Sequence, residues 1–489
     1  MTCLRNLRIR NAAIAATLFA ILLSPLAVTR ADQRRDKDAV PNMAAFPDPA
    51  GVIRTFNLGG AIDLSGPFFQ TLGTNGRSCG TCHTPGDGMS VSAAHIQDRF
   101  ESSRGFDPIF NSVDGTNCDH GIDTSTRAGR AAASSLLRTR GLIRVALAVP
   151  VTRDFEIVSV SNPYGCGETD TISTYRRPLP ATNLRFLSAV MFDGRESSVQ
   201  GGTTPILFSN YPQSLMGDLQ HQANDATLGH AQGMAPGLSV AQQQAIVEFE
   251  MGLFSAQAED RGAGELTAQD GQGGPRALSK QFFYIGTNDP VGLDPNNPVP
   301  LKFNTKVFDL FDAWQNSHEP RRRSIARGQM LFNTRTFTIT GVAGLNGATF
   351  SNGVTGPATI VSTCGICHDT PNVGDHSVGA PLDIGVADPP GGNNVLNTSY
   401  LPVVTVCQRP SLTVCVRTTD PGRALITGSF ADVGKFKGPI LRGLSARAPY
   451  FHNGSARNLL DVLDFYNSRF QIGFTEQEKA DLVAFLSSL

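Results

Sequence analysis

The chain has 489 residues, of which 40% are apolar and 17% are charged, and its formal net charge is -1. This length is enough for two or three domains that each bury their own core, and near-neutrality argues against a nucleic acid or an anionic membrane surface as a partner. The 50 glycines and 30 prolines indicate long irregular loops around modest helical cores.

The N-terminus has the pattern of an export signal. Three arginines precede the apolar run AAIAATLFAILLSPLAV, and the small residues Thr29 and Ala31 flank a cleavage point. A membrane anchor is the alternative, but the run is only about 17 residues long and is broken by a serine and a proline. We therefore predict that residues 1–31 are a signal peptide, and that the mature protein is periplasmic with no stable membrane insertion.

One five-residue pattern occurs twice and is the main functional signal. The two copies, here called pentads, are Cys79-x-x-Cys82-His83 and Cys364-x-x-Cys367-His368. At this spacing two thiols can add across the vinyl groups of one haem while the adjacent histidine coordinates its iron. A zinc half-site and a thioredoxin-like dithiol are the alternatives. Zinc would need a second pair of ligands nearby, and a redox dithiol would follow a strand, so the pattern predicts two covalently bound haem c groups.

The other cysteines of the mature chain suit two disulfides in an oxidising compartment. We pair Cys118 with Cys166 across a long loop, and Cys407 with Cys415 across the short segment CQRPSLTVC. The second pair lies in the tract 370–425, which looks like an insertion decorating the second haem unit.

Each pentad is expected to lie between two helices in a cytochrome-c-like unit. The segment RRSIARGQMLFNT precedes the second pentad, and in the terminal segment TEQEKADLVAFLSSL Thr475 and Glu478 form a capping box. The proline and arginines of SHEPRRRS interrupt the apolar pattern and mark a boundary. We therefore predict a mainly α-helical fold of two cytochrome-c-like haem domains with long irregular loops, residues 32–320 around haem 1 and residues 321–489 around haem 2.

Function then depends on the sixth iron ligand, because an iron with two protein ligands carries electrons whereas an open iron can bind peroxide or oxygen. The last methionine of the chain is Met330, upstream of the second pentad. A downstream methionine therefore cannot ligate haem 2. The other candidates in that part of the chain are His376, His452, Tyr400, Tyr450 and Tyr466.

Two stretches resemble bacterial di-haem cytochrome c peroxidases and the related MauG enzyme, which matures a tryptophan-derived cofactor. The segment GKFKGPILRGLSARAPYFHNGSARNLLDVLDFYN, residues 434–467, resembles their C-terminal signature. The segment VMFDGRES, residues 190–197, resembles the WDGR element of their first domain. The resemblance implies two haems that communicate across a domain interface.

At haem 2 the resemblance places Tyr466 in the position of the second axial ligand. Peroxidases of the family usually have methionine there, whereas the MauG branch has tyrosine. Tyrosinate is a hard anionic donor that stabilises ferric iron. The alternative for Tyr466 is packing on the haem edge. The resemblance also implies that His452 supports the haem or its propionates by hydrogen bonding.

At haem 1 the family's peroxidases have a distal histidine, but the matching stretch CGETDTISTYRRPLPATNL has none. The resemblance therefore implies an open iron, with His95 and His120 left as other ligand candidates. The family's distal glutamine falls on Gln222, and His230 stands where its glutamate is expected. We predict that His230 moves the proton and Gln222 orients the peroxide, the alternative for His230 being a cap or packing residue of a helix.

Two further positions depart from the family. Its tryptophan between the haems is Phe192 here, and the sole tryptophan of the chain, Trp314, lies near the predicted domain boundary. The asparagine ligand of the family's calcium ion is replaced near Arg176 and Arg177, whose guanidinium groups can instead neutralise haem propionates. Calcium binding is therefore left open.

These expectations predict a periplasmic cytochrome c peroxidase that reduces hydrogen peroxide at haem 1, with haem 2 relaying electrons from a small donor such as a cytochrome c or a cupredoxin. One alternative is a MauG-like or rubber-oxygenase-like di-haem oxidase or oxygenase. Another is a non-enzymatic di-haem electron carrier, which requires six-coordinate iron at both haems. Whether the chain forms a homodimer is left open.

Overall fold

The computed structural model describes residues 38–197, 212–290, 303–349, 355–391 and 394–489. The predicted signal peptide lies outside these residues. The segment Asp38–Leu489 forms one compact unit, and none of the helices within the described ranges combines the length and the apolarity needed to cross a bilayer.

The described residues contain ten α-helices, most of them short. They are α1 (Ala93–Ser103), α2 (Arg127–Ala133), α3 (Ser135–Arg140), α4 (Gln213–Gly229), α5 (Val240–Met251), α6 (Pro275–Leu278), α7 (Pro320–Thr334), α8 (Ala424–Thr427), α9 (Leu459–Phe470) and α10 (Glu476–Ser487). The predicted capping box at the start of α10 is confirmed, because the Thr475 side chain accepts a hydrogen bond from the Glu478 N–H and the Glu478 side chain accepts one from the Thr475 N–H.

Thirteen short strands also occur in the described part of the chain. They are β1 (Ala39–Val40), β2 (Phe46–Pro47), β3 (Gly51–Asn57), β4 (Ile62–Asp63), β5 (Ile143–Ala148), β6 (Phe155–Ser161), β7 (Thr171–Arg176), β8 (Leu253–Asp260), β9 (Gly264–Glu265), β10 (Phe337–Thr340), β11 (Thr359–Ser362), β12 (Val403–Gln408) and β13 (Cys415–Thr418). They form a four-stranded sheet in the order β2-β3-β8-β9, a three-stranded sheet in the order β13-β12-β6, and three two-stranded sheets that pair β1 with β4, β5 with β7 and β10 with β11.

The prediction of a mainly α-helical fold is therefore wrong. VVTVCQ, inside the tract 370–425, and FEIVSVS are rich in β-branched residues and form the strands β12 and β6. These strands pair antiparallel although about 240 residues separate them, with Val403 opposite Ser161. The tract 370–425 thus contributes to a sheet shared with the first half of the chain. The boundary near residue 320 stays a prediction.

Both predicted disulfides are confirmed. Cys118 is bonded to Cys166, and Cys407 is bonded to Cys415 across the β12–β13 hairpin, where the two residues are also register partners.

The C-terminal core forms where α7 crosses α10, the two helices predicted to flank the second pentad. A side chain at Gly328 would place its Cβ 2.0 Å from the carbonyl oxygen of Asp481, so glycine permits this close approach. Phe308, Phe332 and Phe485 meet edge to face beneath the crossing, with ring centroids 5.2 to 5.8 Å apart. This packing places Phe332 beside His368.

Candidate haem-binding cavities

Each pentad opens onto a large cavity. Cys79, Cys82 and His83 line cavity 1, which has an empty volume of about 1620 Å³ including the solvent at its mouth. Cys364, Cys367 and His368 line cavity 2, with an empty volume of about 1850 Å³ by the same measure. The four pentad cysteines have free thiols, in contrast to the four that form disulfides. Both thiol pairs are therefore available to bond to a group bound in their cavity.

The pentad histidines are held so that one ring nitrogen is free. His83 Nδ1 lies 2.9 Å from the carbonyl oxygen of Met89, and His368 Nδ1 lies 2.6 Å from that of Gly374. A carbonyl oxygen only accepts, so Nδ1 is the donor in each ring and Nε2 is left without a proton. Burial lowers the pKa of both imidazoles, that of His368 to about 4. Each ring thus offers a neutral Nε2, the form that binds iron.

The lining of cavity 2 suits a large flat apolar group. It is built mainly from side chains of the clusters around α7, α9 and α10, and no aspartate or glutamate belongs to it among the described residues. Free thiol pairs, neutral histidines and these walls together fit the predicted haem c groups. Cys79, Cys82 and His83 would hold one, and Cys364, Cys367 and His368 the other.

Of the three tyrosines considered for haem 2, only Tyr466 has an available hydroxyl in cavity 2. Tyr450 donates its hydroxyl to the carbonyl oxygen of Leu444 at 3.0 Å. Tyr400 donates to the carbonyl oxygen of Asn453 at 3.0 Å and does not line the cavity. The Tyr466 hydroxyl has no hydrogen-bond partner within the described ranges, and burial, with the two nearby pentad thiols, raises its pKa. Its assignment as a ligand stays a prediction.

The two histidine candidates also line cavity 2. His376 Nδ1 is hydrogen-bonded to the Asp369 carboxylate. His452 stacks on Phe436 with ring centroids 3.9 Å apart and meets Phe192 at 6.0 Å. Burial lowers the pKa of His452 to about 4, and its Nε2 lacks a hydrogen-bond partner among the described residues. His452 is therefore a neutral ring with unused hydrogen-bonding capacity, as its predicted supporting role requires.

Cavity 1 brings together the two distal residues predicted from the sequence. Gln222 lies on α4, His230 follows the last turn of the same helix, and both line the cavity. His230 Nδ1 lies 2.5 Å from Asp114 Oδ2. The other carboxylate oxygen of Asp114 pairs with Arg77. The structure thus contains a chain of contacts from Arg77 through Asp114 to His230, and the catalytic roles stay predictions.

Asp114 remains ionised in this arrangement. Its burial alone would raise its pKa, but the hydrogen bond and charge of His230, with the charge of Arg77, hold the pKa below the ordinary value. A carboxylate can only accept, so it fixes the Nδ1–H tautomer of His230 and leaves Nε2 free to exchange a proton. Sequence reasoning missed Asp114 and Arg77, because 116 residues separate Asp114 from His230 and no local pattern links them.

The other histidine candidates for haem 1 lie elsewhere. His95 pairs with Asp87 at 2.7 Å on a half-exposed side chain, and His120 contacts Asp119 at 2.8 Å beside the Cys118–Cys166 disulfide. Neither lines cavity 1.

Two residues of cavity 1 had no assigned role in the sequence. Met191 is the one methionine among the described lining residues, and its φ of 66° is in the left-handed region, where non-glycine residues often mark functional positions. Glu250 on α5 is buried, and its Oε2 has no partner within the described residues. Burial raises the pKa of Glu250 to about 8. The position of Met191 in VMFDGRES was a usable signal, whereas Glu250 stands in an ordinary helical pattern.

Phe192 and Trp314 occupy different environments. Phe192 lines both cavities and so lies between the two pentads. Trp314 lines neither cavity, stacks on Phe311 at 4.8 Å and donates its Nε1–H to the carbonyl oxygen of Ala268 at 2.9 Å. Trp314 is therefore a packing residue.

The two arginines near the family's calcium position differ in their partners. Arg176 is buried between two carboxylates, pairing with Asp193 and, at 2.7 Å, with Asp420. Arg177 instead donates to backbone carbonyl oxygens, including that of Arg447 at 2.8 Å. Arg176 is thus already neutralised by protein, and Arg177 is not.

Comparisons with known proteins give partial similarity. No family model matches the chain. The cytochrome-c peroxidase IdrP2 of Denitromonas iodatirespirans is 42% identical over 78 residues, which are 14% of this chain and 21% of that protein. The cytochrome-c peroxidase IdrP1 of the same organism is 38% identical over 81 residues, 14% of this chain and 22% of that protein. The matched segment thus spans about a fifth of these relatives.

A crystal structure of a MauG-like protein associated with microbial copper homeostasis covers 65% of this chain and 74% of its own, at 16% identity and a TM-score of 0.32. The sequence matches relate the chain to haem peroxidases at a coarse level and support a peroxidase-like oxidoreductase with haem c cofactors in general terms.

Proposed function

We propose that the chain is a periplasmic di-haem c-type cytochrome that reduces hydrogen peroxide with electrons from a small redox carrier, a cytochrome c or a cupredoxin. One hydrogen peroxide takes up two electrons and two protons and yields two waters. Bound haem would supply the iron at which the O–O bond breaks and the route by which the two electrons arrive.

The observation that carries this proposal is the difference between the two cavities. Cavity 1 contains Gln222 and the His230–Asp114–Arg77 chain, which is an acid–base arrangement. Cavity 2 has no carboxylate in its described lining. The carboxylates near its histidines, Asp369 beside His376 and Asp420 beside His452, are not part of that lining, and the cavity presents an available tyrosine hydroxyl. Proton chemistry is thus assigned to cavity 1, and cavity 2 is assigned to electron relay.

The protein groups of cavity 1 can move the proton that peroxide cleavage requires. His230 Nε2 takes a proton from one oxygen of the peroxide, the one that would face the iron, and gives it to the other oxygen, which leaves as water. Asp114 stabilises the positive charge that His230 carries between these steps. The Gln222 amide can donate to one peroxide oxygen and accept from the other, and so orients the molecule.

The test is peroxide turnover with a reduced small cytochrome c as donor, on protein shown by pyridine haemochrome analysis to hold two haems. H230A is expected to lower turnover by about 100-fold, the usual contribution of a positioned acid–base group. The matched control is H318A, because His318 is exposed and lines neither cavity. Donor oxidation no faster than without protein contradicts the peroxidase assignment, and equal rates for H230A and wild type remove His230 as the base.

Tyr466 favours a second candidate, a MauG-like or rubber-oxygenase-like di-haem oxidase or oxygenase. Its free hydroxyl in cavity 2 offers an anionic donor of the kind that stabilises oxidised iron. Oxygen consumption with an organic substrate, in protein that does not oxidise reduced cytochrome c with peroxide, distinguishes this candidate.

A further inference from the structure

Four cationic side chains, three buried and one half-buried, surround the space between the two cavities. They are Arg177, Lys437, Arg442 and Arg447. Arg177 and Lys437 line both cavities, Arg442 lines cavity 1 and Arg447 lines cavity 2. Three of them recur every five residues along KGPILRGLSAR, residues 437–447. We call this set the cationic belt.

Three members of the belt are joined by hydrogen bonds to one another's backbone. Arg177 Nη2 donates to the carbonyl oxygen of Arg447 at 2.8 Å, and Arg447 Nη2 donates to that of Arg442 at 3.1 Å. The backbone N–H of Lys437 donates to the carbonyl oxygen of Phe192 at 2.7 Å. The guanidinium groups of Arg177 and Arg447 are therefore fixed by the backbone, and Lys437 is tied at its main chain to the first half of the chain.

None of the four has a carboxylate within ion-pairing distance among the described residues. The guanidinium groups of Arg177 and Arg447 donate only to carbonyl oxygens. Arg442 donates to the carbonyl oxygen of Asn372 at 3.0 Å, and its Nε and Nη2 have no partner within the described ranges. Lys437 interacts with the charge of Asp375 but forms no ion pair with it.

The other charged residues of cavity 1 are already matched. Arg77 pairs with Asp114, and Arg176 and Arg195 share Asp193. Burial keeps the remaining acid, Glu250, largely protonated at neutral pH, since it raises its pKa to about 8. The belt is thus an excess of buried positive charge.

Such an excess is unfavourable unless a ligand neutralises it, because each uncompensated buried charge costs several kcal/mol. Burial accordingly lowers the pKa of Arg442 to about 9 and that of Lys437 to about 8. The missing anion has to be reachable from both cavities. Each haem carries two propionate carboxylates, so two haems carry four.

We propose that the cationic belt binds the four propionates of the two haems, with Arg442 serving haem 1, Arg447 serving haem 2, and Arg177 and Lys437 placed between them. This inference rests on the proposed di-haem function. It assigns neutralisation of the propionate charges, first expected of Arg176 and Arg177, to the four residues of the belt. Arginine presents a planar fork that matches a carboxylate, which suits the orphaned Nε and Nη2 of Arg442.

The test is redox titration of each haem in R442Q and R447Q, with R322Q as the control. Arg322 is also buried and donates to the carbonyl oxygen of Ala263. It has the exposed Glu319 as an ion-pair partner at 3.5 Å, and it lines neither cavity. Removing a positive charge favours ferric iron, so R442Q is expected to lower the midpoint potential of haem 1, and R447Q that of haem 2. A tenfold change in the redox equilibrium equals about 59 mV for one electron, and R322Q is expected to change neither potential.

The charge-preserving variants R442K and R447K complete the design. If charge is the cause, the midpoint potentials of the haems in these variants stay close to the wild-type values. Unchanged potentials in R442Q and R447Q, with both haems bound, overturn the inference. Equal shifts in R322Q overturn it as well. If a glutamine variant does not accumulate, the corresponding lysine variant is titrated instead. A change in its redox equilibrium of tenfold or more, about 59 mV, contradicts the charge argument, and a smaller change supports it. A wild-type protein with fewer than two haems contradicts the proposed function itself, so the two failures are distinguishable.

Discussion

Replacing Asp114 with asparagine tests the acid–base arrangement of cavity 1 directly. The substitution keeps the shape of the side chain but removes the negative charge that faces both His230 and Arg77. An asparagine amide can also donate to His230 Nδ1, which places the ring proton on Nε2 and blocks that atom as an acceptor. D114N is therefore expected to impair peroxide turnover without removing either pentad histidine.

The magnitude follows from the contact that is lost. A hydrogen bond to a charged group contributes about 1.5–3 kcal/mol, and about 1.4 kcal/mol corresponds to a factor of ten in rate. We expect kcat/KM for peroxide to fall about ten- to hundredfold. Arg77 also loses its buried partner, which costs about 3–5 kcal/mol of folding stability, so thermal unfolding has to be measured beside the rate.

The control is D260N, which weakens another buried carboxylate–arginine pair, that with Arg321 at 2.6 Å, away from both cavities. It is expected to lower the unfolding temperature while the rate with peroxide and reduced cytochrome c stays at the wild-type value. A D114N rate within twofold of wild type refutes the assigned role of Asp114. The role is also refuted if D260N loses peroxide turnover in the same proportion to its loss of stability as D114N does, because the loss of rate in D114N would then follow from instability alone.

Two further substitutions test single groups in the cavities. Y466F is expected to change the electron paramagnetic resonance spectrum of haem 2, because it removes the free hydroxyl in cavity 2. Y400F, outside that cavity, is the control and is expected to leave the spectrum unchanged. Identical spectra for Y466F and wild type exclude Tyr466 as a ligand. E250Q is expected to stabilise the fold at pH 7. The pKa of Glu250 is about 8 in the folded protein and about 4.5 in the unfolded chain. Between these values the unfolded chain is stabilised by ionising Glu250, and the glutamine removes that advantage. The gain is about 3 kcal/mol at pH 7 by the 1.4 kcal/mol that each pKa unit represents, and it disappears below pH 4.5. E248Q, on the exposed side of α5, is the control, and a gain that does not depend on pH contradicts the titration of Glu250.

Local features were predictable from the sequence because their partners are close in the chain. The capping box at Thr475 spans three residues, and the Cys407–Cys415 disulfide closes a hairpin eight residues apart. The strands β6 and β12, which are among those that overturn the α-helical prediction, are local patterns of β-branched residues. Pairing between β6 and β12 needs contacts across about 240 residues, which a pattern within either segment does not specify.

The candidate sites show the same division. Gln222 and His230 were found because they lie on one helix near a recognisable motif, and both line cavity 1. Arg177 was named from the sequence, but Asp114, Lys437, Arg442 and Arg447 were missed, since Arg177 meets Arg447 across 270 residues. Charge matching is a property of the folded interior: Arg176 and Arg177 are neighbours in the sequence, yet only Arg176 has carboxylate partners among the described residues.

The two pentads themselves do not explain the proposed division of labour. They read Cys-Gly-Thr-Cys-His and Cys-Gly-Ile-Cys-His, and each histidine donates Nδ1–H to a carbonyl oxygen six residues later. The proposed attachment chemistry would therefore be equivalent, and any difference between the two proposed haem sites has to come from the segments that cover them. Cavity 1 is covered by α4 and the loop that carries Asp114, which bring an ionised carboxylate to a histidine; cavity 2 is covered by α9, which brings a tyrosine. Exchanging function between the haems would thus require changes in α4 and α9, and not in the pentads.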